Sequence, residues 1–167
     1  MQLLKSITAL GLFLTAAVEA APVAAPADRS MNEASPSVLF IKKRSSINDC
    51  GYSTFVNQSS GGSPRVDDCL QIARNIAGGG TWVVSAVAGV HHQLLQYGTC
   101  AFGVEHDPDF ADGPIYKIGN QDIIDLINDS VNRFQWFGLV GAKGEMDCQP
   151  TLGSDSVPII WVRMAVL

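Results

Sequence analysis

No apolar run in these 167 residues is long enough to cross a bilayer, which takes ~20 residues as a helix. No two cysteines stand two to four residues apart, the spacing that zinc sites favour. The Gly-x-Ser-x-Gly elbow of the α/β hydrolases is missing, so the serines, aspartates and three histidines do not spell a triad. Basic residues are scarce beyond Arg44. From residue 45 onward six stand singly (Arg65, Arg74, Lys117, Arg133, Lys143, Arg163) against thirteen acids, a net charge of −7. Such a surface lacks the electrostatic footprint for nucleic acid or an anionic membrane.

What is present begins with delivery. Lys5, the apolar run from Ile7 to Val18, and small residues at Val18 and Ala20 form a secretory signal over 1–20, cut after Ala20. Residues 21–44 are rich in Ala, Pro and Ser without a periodic apolar face, so a disordered or loosely attached propeptide is expected. It ends in Lys42-Lys43-Arg44, a processing site at Lys43-Arg44. Just before it, Val38-Leu39-Phe40-Ile41 is apolar enough to dock on the domain before removal. The secreted domain is then 45–167, of single-domain size.

All four cysteines (Cys50, Cys69, Cys100, Cys148) lie in that domain, and an exported chain pairs them as two disulfides. Three connectivities are open. Cys50–Cys148 with Cys69–Cys100 is preferred, because it ties the start of the domain to a late strand and the first helix to the strand after it. Each bridge adds ~2–4 kcal/mol.

The first helix follows Ser63 as cap and Pro64 as first residue, with Asp67 and Asp68 at its positive end. Val66, Cys69, Leu70, Ala73, Ile76 and Ala77 form its apolar stripe, and Gly78-Gly79-Gly80 stops it. That triplet follows a helix and lacks a Lys-Ser/Thr pair, so it is no phosphate loop. The second helix has Asn120 as its cap and Asp122 in its first turn, and Ile123, Ile127, Val131 and Phe134 recur on one face, broadened by Ile124 and Leu126. Strands are expected at 49–56, 81–87, 100–105, 115–118, 138–148 and 160–166, the last burying Ile160, Val162, Met164 and Val166. His91 to Tyr97 reads as a connecting segment. Glycines 138, 141 and 144 imply bulges, curvature or close backbone approach. The order predicts an α+β fold, two helices packed on one face of a mostly antiparallel β-sheet.

Several groups invite a chemical reading. His91-His92 point to opposite sides of an extended chain and do not share a metal. Asp107, Asp109 and Asp112 with Glu105 are too short a run for an EF-hand and read as a charged turn. No metal or cofactor is expected. Asn57 and Asn128 head glycosylation sequons. Trp136-Phe137, just past the second helix, form an aromatic anchor for a protein or glycan partner if both face solvent.

The blocks CGYSTFVNQSS, DDCLQIARNIAGGGTW, YGTCAFGV, IGNQDIIDLINDSVNRF and GLVGAKGEMDC occur in an order that resembles the fungal extracellular protein 2 effectors, the necrosis-inducing-factor family, from Cys50 to about Trp161. The resemblance implies a secreted fungal effector and virulence factor of the host apoplast; a monomer is expected. It would bind a host protein or cell-surface component and provoke cell death or recognition, without catalysis. The coarse architecture is similar to fungal killer toxins, so antimicrobial or ion-channel-blocking activity is the alternative. A small secreted glycoside hydrolase is a second one, requiring two carboxylates ~5–10 Å apart across a groove.

Overall fold

The computed structural model describes residues 37–85, 87, 89–107, 115–153 and 155–165, the last three as backbone. The signal sequence with Ala20, most of the propeptide, and Asp109 and Asp112 lie outside these residues.

The elements run β1 (Val38–Ile41), β2 (Cys50–Ser53), β3 (Val56–Asn57), α1 (Val66–Ile76), β4 (Thr81–Ser85), β5 (His91–Tyr97), β6 (Cys100–His106), β7 (Ile115–Gly119), α2 (Asn120–Phe134), β8 (Ala142–Cys148) and β9 (Val157–Ala165). The α+β class holds, with strands outweighing helices. The single sheet does not. A three-stranded sheet β1-β4-β7 stands beside a larger one ordered β2-β8-β9-β6-β5, with β3 also on β8, and every pairing is antiparallel. α1 packs on α2 and on β5 and β6, while α2 lies against β7. Ile72, Val84, Phe102, Tyr116, Ile123 and Trp161 are among the largest buried side chains of the shared core.

Several local expectations change. Within the stretch expected to be loosely attached, Val38–Ile41, apolar enough to dock, do so as β1 in register with β4. His91–Tyr97 is a strand and not a connector; a bulge between Gln93 and Leu95 breaks its alternation, so both Leu94 and Leu95 are buried. The buried face of β9 is Val157, Ile159 and Trp161, the opposite phase to that expected. Trp161 decides it, because its ring meets Phe55 edge-on at 5.2 Å and packs against Gly144, where a Cβ would strike the ring and the Thr54 carbonyl. Gly141 likewise admits the Gln58 carbonyl, whereas Gly138 lies in a turn before β8 begins.

Both helices start one or two residues off. α1 begins at Val66 with no side-chain cap, and Ser63 instead bonds Ser60 within the preceding loop. α2 is capped from Gly119, whose N–H donates to Asp122 at 2.8 Å. That frees Asn120 to accept the Ile47 N–H at 2.9 Å. The same clasp continues with Gln121 N–H to the Ile47 carbonyl (3.0 Å) and Asp49 N–H to Asp122 (2.8 Å). Gly119 permits this approach, since any Cβ there would collide with the Ile47 carbonyl.

Disulfides join Cys50 to Cys148 and Cys69 to Cys100, with sequence separations of 98 and 31. The second ties α1 to the first residue of β6, beside Asp68, which accepts both the N–H (2.9 Å) and the hydroxyl (2.6 Å) of Thr99. Loop-closure entropy assigns about 4.7 kcal/mol to the long crosslink and about 3.7 kcal/mol to the short one. Urea titration of the double variants C50A/C148A and C69A/C100A checks this: both unfold at lower denaturant, and C50A/C148A loses more.

Candidate binding surface

α2 ends where Gln135 turns to ψ 136°, directing the chain into a hairpin. Trp136 N–H donates to the Leu139 carbonyl (2.8 Å), and Leu139 N–H returns a bond to Trp136 (2.9 Å). The central residues Phe137 and Gly138 have φ of +48° and +78°, the signs of a type I′ turn. Glycine accepts this region freely. A bulky L-residue pays roughly 1–2 kcal/mol for it. No burial offsets that cost, since Phe137 is 88 % and Trp136 50 % exposed. Their rings meet edge to face at 5.0 Å. The turn is nonetheless fixed at its base: Val66, the first residue of α1, donates its N–H to the Gly138 carbonyl (2.9 Å), and Val140 donates to Pro64 (3.0 Å). A helix N-terminus without a side-chain cap thus finds its acceptor in the aromatic turn.

A second feature lies between β2 and α2. A cleft of about 220 Å³ is lined by Tyr52, Phe55, Asp122, Asp125, Asp129 and Arg133, with others. Helical spacing sets the three carboxylates along α2. Each has its own partner. Asp122 receives the two backbone N–H groups named above. Asp125 accepts from Gln121 Nε2 (2.7 Å), and Asp129 lies 3.4 Å from Arg133 Nη2. Arg133 covers the Phe55 ring at 4.3 Å, a cation–π contact. Burial raises the Asp122 carboxyl above its ordinary range, and the N–H bonds from Asp49 and Gly119 oppose this. Tyr52, 87 % exposed on the rim, was not singled out from the sequence; its signal was an aromatic in a strand whose neighbour Gly51 cannot cover it. The Arg133–Phe55 stack, joining residues far apart in the chain, left no local signal.

The remaining candidates scatter. His91 is exposed, 3.0 Å from Glu105, while His92 is fully buried, and burial holds its imidazole below the usual range. His106 is buried on β6. Among the described residues no three His, Cys, Asp or Glu side chains are grouped to hold a metal. No described helix is long and apolar enough to cross a membrane. Asn57 and Asn128 are both exposed, but the Ser130 hydroxyl of the second sequon is buried against the Leu126 carbonyl. Lys43 and Arg44 are exposed between β1 and β2.

Fold and surface define a small α+β module, cross-linked twice, that presents aromatic side chains on a hydrogen-bonded turn. Residues 49–148 match the family Hce2, "Pathogen effector; putative necrosis-inducing factor", and the chain belongs to that family. The matched stretch ends at Cys148, before β9. The chain is also 35 % identical over 114 residues to "Probable chitinase LysM18" and 38 % identical over 76 residues to "Secreted chitinase LysM12", both of Penicillium expansum. These alignments take in 66 % and 45 % of this chain, but only 8 % and 5 % of the relatives. The chain therefore spans less than a tenth of the curated relatives it matches. Two disulfides and membership of an effector family fit an extracellular protein.

Two measurements test the local physics. Phe137→Asn restores the Asn-Gly pair that a type I′ turn prefers, and should raise stability by about 1 kcal/mol in urea titration. For Asp122, the folded chain retains a proton that the unfolded chain has released between the ordinary carboxylate value and the raised folded one. Its contribution therefore falls as pH rises through that window. Asp122→Asn keeps an acceptor for the two N–H groups and should flatten the fall in urea midpoint as pH rises above the ordinary carboxylate range.

Proposed function

We propose that this protein is a secreted fungal effector that acts in the host apoplast by binding a host protein or cell-surface component. Its contact is the Trp136–Phe137 turn, it works as a monomer without cofactor or catalytic step, and the outcome is host cell death or recognition. The observation that carries this reading is Phe137, exposed and held in a left-handed conformation that stability alone disfavours. A pre-ordered aromatic pair loses little side-chain entropy on binding, the usual property of a contact hot spot. Family membership supports the effector role. The partnered state of Asp122, Asp125 and Asp129, all from one helix, favours binding over glycoside hydrolysis.

A second reading concerns the ligand. The relatives are named chitinases, and a module shared with such proteins fits a chitin oligosaccharide as ligand, with Tyr52, Trp136 and Phe137 offering rings for stacking.

Infiltrating the purified secreted protein into host leaves tests the first reading. Wild type produces necrosis, whereas Phe137→Asn, which folds at least as well, loses at least tenfold in potency. Full activity of that variant overturns the proposal. Retention on insoluble chitin, lost in Trp136→Ala, selects the glycan ligand; inhibition of other fungi without a leaf response selects the killer-toxin alternative.

A further inference from the structure

We infer that β1 is a removable cover and that the β4 edge beneath it is a second docking site, for an extended apolar polypeptide segment followed by basic residues. This does not rest on the aromatic turn. β1 is four residues long, pairs among the described residues only with β4, and leaves Leu39, Phe40 and Ile41 exposed and Val38 buried. Edge strands in stable folds are usually charged or blunted; this one is neither. Its seat is nevertheless shaped. The Phe40 ring packs against Trp82 at 4.8 Å, tilted by 40°, and lies where a side chain on Gly80 would stand. Gly79 passes against the carbonyls of Lys43 and Ser45 in the same way. Trp82, 4 % exposed, is among the residues this cover shields. Beyond the strand, the Ser85 N–H reaches the Ser37 carbonyl at 2.9 Å.

The tether is built to be cut without loss of the domain. Lys42, Lys43 and Arg44 are exposed and outside regular structure. A dibasic-directed endoprotease would hydrolyse the Arg44–Ser45 bond with one water, leaving a carboxylate on Arg44 and an amine on Ser45. Immediately beyond, Ser46, Ile47 and Asp49 are bonded to Gln121, Asn120 and Asp122, so the new terminus stays clasped to α2. The severed strand keeps one neighbour and four residues of pairing. Once untethered it loses an effective concentration of order mM and leaves on dilution. The uncovered edge offers the backbone groups that faced Val38 to Ile41, the setting for strand addition. The displaced strand is itself the template for the occupant: an extended segment with an aromatic in the Phe40 position. The cations Lys42, Lys43 and Arg44 after it complement the −7 charge of the remaining domain.

The test uses the secreted full chain, cleaved with a dibasic-directed endoprotease, beside the uncleavable variant K43A/R44A. Gel filtration with intact-mass detection should separate the fragment ending at Arg44 from the domain. A synthetic peptide of residues 37–43 should then bind the cleaved protein and not K43A/R44A, and the peptide carrying Phe40→Ala should bind at least tenfold more weakly. Co-elution of the fragment with the domain at low concentration overturns the inference. So does equal binding to both proteins, indifference to Phe40→Ala, or a cleaved domain that dimerises and refuses the peptide.

Discussion

The two sheets meet where Cys50 is bonded to Cys148. Cys50 opens β2 and Cys148 closes β8, paired in register, and the Cys50 sulfur lies 3.6 Å from the carbonyl of Lys117, on β7 of the other sheet. Around this point the backbone of one sheet is sewn to the other. Lys117 N–H bonds the Gln149 carbonyl (2.9 Å), and Thr151 N–H bonds Ile115 (2.7 Å). Asp49 joins α2 to the same seam, its N–H on Asp122, its carbonyl receiving Gln149, and its carboxylate receiving Thr81. β2 is largely exposed and has little burial of its own to hold it there. The covalent bond supplies what apolar packing does not, and sheet, helix and crossing chain all inherit their placement from it.

Much of this was legible in the chain. Both helices show themselves by apolar recurrence, and most strands by alternation or β-branched runs. The pairing of the cysteines was one of three that the spacing leaves open, preferred for the elements it ties. What local pattern does not encode is which strands are neighbours, so one sheet was expected where two exist. β5 escaped because a bulge spoils its alternation. The phase of β9 is not encoded locally, because Ile160 and Val162 look as apolar as Ile159 and Trp161. The choice rests with Gly144 and Phe55, which make room for one indole and come from elsewhere in the sequence. At the surface, the Trp-Phe pair was visible as composition. Its geometry was not, because Phe-Gly is not the dipeptide that advertises a type I′ turn.

Agreement between local preference and global fold is the rule for a sequence that folds to one structure, and departures concentrate at places kept for another purpose. Two departures stand out here. One is a phenylalanine where asparagine would be easier; the other is an uncharged apolar edge strand where lysine or proline would be safer. They lie on different parts of the chain, α2's exit and the segment before the dibasic site. They also differ in kind, since the turn is hydrogen-bonded at its base to Val66 and Pro64, while the strand is a four-residue edge paired to β4.

The magnitudes explain how a module this small carries them. A left-handed phenylalanine costs roughly 1–2 kcal/mol, a sizeable part of a domain's usual margin of 5–15 kcal/mol. Either disulfide contributes more than that by restricting the unfolded chain. Neither lies in the turn itself, so the stabilisation comes from one region and the strain is held in another. Flexibility at Trp136 and Phe137 would relieve the strain but return the entropy cost at the moment of binding. A turn pinned by Val66 and Val140 meets that cost during folding, where the crosslinks can offset it. Were the turn the contact proposed above, the cysteines and the aromatic turn would act together, the crosslinked frame letting a strained, exposed aromatic persist.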